Sequence, residues 1–102
     1  MEHPGRQPLS FLLETVEGVR IYHPSDSDPF PEMSELAHGA GTDLVLYLGS
    51  SLEKALRIAG LVQPRVLLSR YLDPAQTARQ LEPMAHGTRG ATLRPLEIYR
   101  YP

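Results

Sequence analysis

Two short runs of consecutive apolar residues constrain this chain more than any other feature: Leu44-Val45-Leu46-Tyr47-Leu48 and Val66-Leu67-Leu68. A strand with one wet face alternates apolar and polar side chains, whereas an unbroken apolar run of strand length reads as a strand buried on both faces. Between the runs, Leu52, Ala55, Leu56 and Ala59 form one stripe at helical spacing. Ser50-Ser51-Leu52-Glu53 fits a capping box ahead of that stripe, with Glu53 three residues after Ser50, and Gly60 is expected to end the helix. A buried strand, a crossover helix and a second buried strand are the parts of a parallel βαβ unit.

The flanking segments extend the same pattern. Residues 10–14 and 19–23 are rich in aliphatic, aromatic and β-branched side chains around a Glu17-Gly18 turn, which predicts a β-hairpin. Asp28-Pro29-Phe30-Pro31 is a stiff turn into a short helix, where Phe30, Met33 and Ala37 recur at helical spacing beside Leu36. Asp73 is placed to cap a further helix that starts at Pro74, with Ala75, Ala78 and Leu81 expected to face inward and Pro83 to end or kink it. Gly87-Thr88-Arg89-Gly90 reads as a flexible connector. Residues 91–101 read as an extended tail broken by Pro95, lying in the sheet. The order is β-β-α-β-α-β-α-β, with a possible further strand in the tail. That order predicts an α/β fold with a mixed, partly parallel sheet, in one domain over residues 9–102 behind a loose arm at 1–8.

Composition excludes several classes of function. The chain has 102 residues and a net charge of −2, so no bulk electrostatic attraction draws it to nucleic acid or an anionic membrane. The tyrosines have no basic field around them and make no stacking platform for bases. There is no cysteine, hence no disulfide, thiolate zinc site or cysteine nucleophile. No apolar run approaches the length needed to span a bilayer, and the first residues do not read as a signal peptide, so a cytoplasmic location is the expectation. Ser50 and Ser51 have no Gly-x-Ser-x-Gly elbow around them, and capping accounts for the first.

Residues 18–28, Gly-Val-Arg-Ile-Tyr-His-Pro-Ser-Asp-Ser-Asp, end a β-patterned run in an acidic, serine-rich turn. This stretch resembles a segment of the metallo-β-lactamase superfamily, in which a strand ends in a Gly-Asp-Thr-type turn whose Asp bridges two metals; Ser25-Asp26-Ser27 occupies that turn here. The likeness is to the second half of the domain, over about residues 11–101, and is nearest to the superfamily's small metal-dependent hydrolases. Residues 30–36 match the helix after the turn, 42–46 the next strand, and 63–68 the strand that leads to the last ligand. The resemblance implies half of an αββα sandwich, a mixed sheet with helices covering one face. The departures are equally specific. No His-x-His-x-Asp-His set occurs, and Arg70 or Tyr71 stands where a final ligand His is expected.

Asp26, with Asp28 and His23, is therefore the candidate metal-binding group, against the plainer reading that Asp and Ser satisfy the backbone of a turn. Arg70 and Tyr71 are the candidate anion-binding pair, donors at the end of a buried strand, against the plainer reading of an ordinary surface pair. One inherited carboxylate does not make a catalytic zinc site, which takes about three protein ligands. No catalytic residue is assigned and no cofactor is expected, with a divalent metal, zinc, as the alternative. The expected function is a non-catalytic structural or interaction module that self-associates. The alternative is a metal-dependent hydrolase remnant whose site another chain completes. A homodimer or a partner chain is expected, because three short helices can cover only one face of a sheet whose central strands are apolar on both. Leu46, Tyr47 and Leu68 are expected at or just beneath the contact.

Overall fold

A computed structural model describes residues 11–24, 31–37, 41–85, 87–93 and 99–101. Strands β1 (Phe11–Glu14) and β2 (Arg20–His23) form an antiparallel hairpin, with Leu12 opposite Tyr22 and Leu13 opposite Ile21. Gly18, at φ +91°, supplies the left-handed step of the connecting turn, and its N–H bonds the Thr15 carbonyl at 2.9 Å. A 3₁₀ helix (Pro31–Ala37) leads to β3 (Leu44–Tyr47). Helix α1 (Leu52–Val62), β4 (Val66–Ser69), helix α2 (Pro74–Met84) and β5 (Arg89–Thr92) follow. The sheet order is β1-β2-β3-β4-β5, parallel from β2 onward, which makes the α/β class and the mixed sheet a finding.

The strand order explains the layering. Each crossover adds its strand on the same side of the last one, and parallel crossovers share one hand. An order that never reverses therefore puts every helix on one face. That face holds the larger core: Tyr22, Val45, Tyr47 and Leu67 from the strands meet Met33, Ile58 and Leu81 from the helical layer. Leu52, Ala55, Leu56 and Ala59 all join it, joined in turn by Ile58 and Val62.

Several local expectations are corrected. The cap of α1 is Ser51, one residue later than the capping box placed it, and its Oγ accepts the Lys54 N–H at 3.2 Å. The helix runs through Gly60 to Val62 and ends on Gln63 in the left-handed region, φ 53°, because burial of Val62 outweighs the low helix propensity of one glycine. Asp73 does cap α2, with its Oδ2 accepting the Gln76 N–H at 2.8 Å. The inward face of that helix is Thr77 and Leu81, while Ala75 and Ala78 are exposed. Pro83 falls in the last turn, where only Met84 follows it in the helix.

Arg89 and Gly90 are not in a connector but in strand β5, paired with Val66 and Leu67. Glycine fits there because α2 presses on the strand: a Cβ at Gly90 would stand 3.1 Å from Leu81 Cδ1.

The second face of the sheet carries a separate cluster, Leu44, Val66 and Leu68, with Ile21, Leu46, Ala91 and Leu93 packed around it. Tyr99 and Tyr101 also pack here, so residues 99 and 101 lie on the sheet and not in it. Tyr47, expected at or just beneath a contact between copies, is buried on the helical face, because a strand turns alternate side chains to opposite faces.

Candidate functional site

In a parallel sheet the loops beyond the carboxyl ends of the strands are the usual place for chemistry. Here that edge includes His23 at the end of β2 and Pro24 after it, residues 48–51 after β3, residues 70–72 after β4, and Leu93 after β5. Tyr47 organises the second of these loops. Its phenol oxygen accepts the Ser51 N–H at 3.3 Å and lies 2.6 Å from where a Cβ at residue 49 would be, so Gly49 leaves room for it.

The structure brings Arg70 and Tyr71 together. The guanidinium carbon lies 5.4 Å from the Tyr71 ring centroid, a cation–π contact. Both side chains are exposed, Tyr71 at 60%. The pair stands directly after Ser69, which is buried at the end of β4 and accepts the Leu93 N–H on its carbonyl at 2.7 Å. His23 is half-buried at the end of β2, on the strand position opposite Phe11. Asp26 and Asp28 lie outside the described residues.

Among the described residues no three His, Asp or Glu side chains converge as a metal site would require. The described part of the carboxyl edge offers one imidazole, a guanidinium and hydroxyls. A zinc centre takes about three protein ligands, and the candidate ligands Asp26 and Asp28 are not among these described residues.

The denser polar constellation sits at the opposite, amino edge, and sequence reasoning missed it. Asp43 immediately precedes β3, level with Arg20 at the start of β2 and Arg65 just before β4. Asp43 Oδ2 accepts the Arg20 backbone N–H at 2.9 Å. Asp43 Oδ1 accepts the Tyr101 hydroxyl at 3.2 Å and lies 3.6 Å from Arg65 Nε. Arg20 in turn donates through Nε to the Gly41 carbonyl at 2.6 Å and pairs with Glu14 at 3.3 Å. Partial burial, followed by the Asp43 charge, raises the Tyr101 phenol above its ordinary value, with Arg65 acting in the other direction. The legible signal was a lone acid directly before one buried strand and an arginine directly before the next. This lace ties four strands and residue 101 together.

No helix among the described residues is long and apolar enough to cross a membrane.

Comparison with known proteins gives a short, local likeness. No family model matches the chain. A UPF0173 metal-dependent hydrolase from a Polaromonas species is 43% identical over 44 residues, which is 43% of this chain and 16% of that protein. UPF0173 hydrolases fall in the metallo-β-lactamase superfamily, so the match supports that resemblance over the stretch it covers and points to a hydrolase-related origin. The chain thus matches only a small part of that relative's length.

Proposed function

We propose that this chain is a non-catalytic interaction module of metallo-β-lactamase-like ancestry, which self-associates through the second face of its sheet. One observation carries the reading: the central strands are apolar on both faces, and the helices take one. Leu46 and Ile21 on the other face are half-buried, and Leu13, paired with Ile21 across the hairpin, is 54% exposed. Leu13 shares a face with Ile21 through the hairpin register. A large exposed apolar surface marks an interaction site, and a two-fold contact uses one patch twice.

A second reading rests on the relative's description as a metal-dependent hydrolase. In it, another chain supplies the missing His ligands and Asp26 completes the site. Arg70 and Tyr71, as an exposed cation and hydroxyl at the same edge, would in either case favour anions over metal cations.

Light scattering on the purified chain, together with elemental analysis, separates the readings. The module reading expects a dimer burying at least roughly 1,000 Å² in total, with no stoichiometric zinc or iron. A monomer at high concentration would overturn self-association. About one tightly held transition metal per chain, released by Asp26→Ala, would favour the hydrolase reading.

A further inference from the structure

We draw no further inference here: the strongest candidate, the cleft of about 200 Å³ between helix α2 and strand β5 lined by Pro74, Thr77, Gly90, Ala91 and Thr92, lies at the outer edge of the sheet, and nothing in the structure shows what covers it.

Discussion

Tyr101 donates its hydroxyl to Asp43 across 58 residues of sequence, at 3.2 Å, while the other oxygen of the same carboxylate holds the Arg20 N–H. One side chain therefore fixes the starting register of β2 against β3 and pins residue 101 to the sheet. Its backbone carbonyl also accepts the Val66 N–H at 3.0 Å, so the residue sits where β2, β3 and β4 are aligned.

Asp43→Ala is expected to be among the more damaging substitutions outside the core. It leaves the Arg20 N–H and the Tyr101 hydroxyl without their acceptor, and a stranded, part-buried donor costs about 1–3 kcal/mol. Asp43→Asn keeps an acceptor oxygen and should cost less. Urea unfolding checks both, with Arg65→Ala as the control. The Arg65 side chain is 79% exposed and its ion pair is long, so its loss should move the midpoint little.

The same contact gives stability an alkaline limb. The phenol of Tyr101 is raised by partial burial and then by Asp43, so the fold favours its protonated form. The folded value lies above the unfolded one. The contribution is complete below the unfolded value of about 10 and is lost as pH rises through that value toward the folded one. Unfolding midpoints measured on both sides of this window should fall more steeply for wild type than for Tyr101→Phe. Parallel curves would show that the phenol is not coupled to folding.

Gly90 tests the contact between α2 and β5. An added Cβ would stand 3.1 Å from Leu81 Cδ1 and 3.6 Å from Thr77 Cγ2. Gly90→Ala asks only the end of the Leu81 side chain to give way, and it also restricts the unfolded chain, so it should be close to neutral. Gly90→Val forces branched bulk under the helix and should cost about 1–3 kcal/mol. Thermal melts of the two variants distinguish a helix seated on this strand from one that rides clear of it.

The frame of this fold was legible because its signals are local. The unbroken runs at 44–48 and 66–68, the apolar stripe from Leu52 to Ala59 and the Asp73-Pro74 start each depend on residues close in sequence, and each appears where the pattern puts it. What failed depended on distance. Gly60 reads as a stop until Val62 is known to be buried beyond it. Arg89-Gly90 reads as a loop until β4 is seen to offer a free edge and Leu81 to pack closely on residue 90. The packing of Tyr99 and Tyr101 on the second face depends on Asp43 and Arg89, and no local spacing announces either bond. Of the site residues, Arg70 and Tyr71 meet as consecutive residues can, in a cation–π contact at 5.4 Å.

The two faces of β3 make the proposed self-association testable at adjacent positions. Tyr47 points into the helical core, 4% exposed, whereas Leu46 points to the second face and is half-buried. A glutamate at position 47 would place an unpaired carboxylate among Val45, Ile58 and Leu67 and would also remove the acceptor for the Ser51 N–H. Burial of an unpaired charge costs several kcal/mol, a large share of the roughly 5–15 kcal/mol that holds a domain together. Tyr47→Glu should therefore fail to fold whatever the assembly state. Leu46 is only half-buried, so a glutamate there keeps access to water and Leu46→Glu should fold with a modest loss of stability. In a dimer built on this face it would set two like charges against each other across the two-fold axis and dissociate the pair. Circular dichroism and sedimentation on the two variants give the answer. A Leu46→Glu chain that is folded and monomeric beside a dimeric wild type supports the second face as the contact. A Leu46→Glu chain that remains dimeric moves the contact elsewhere on the molecule.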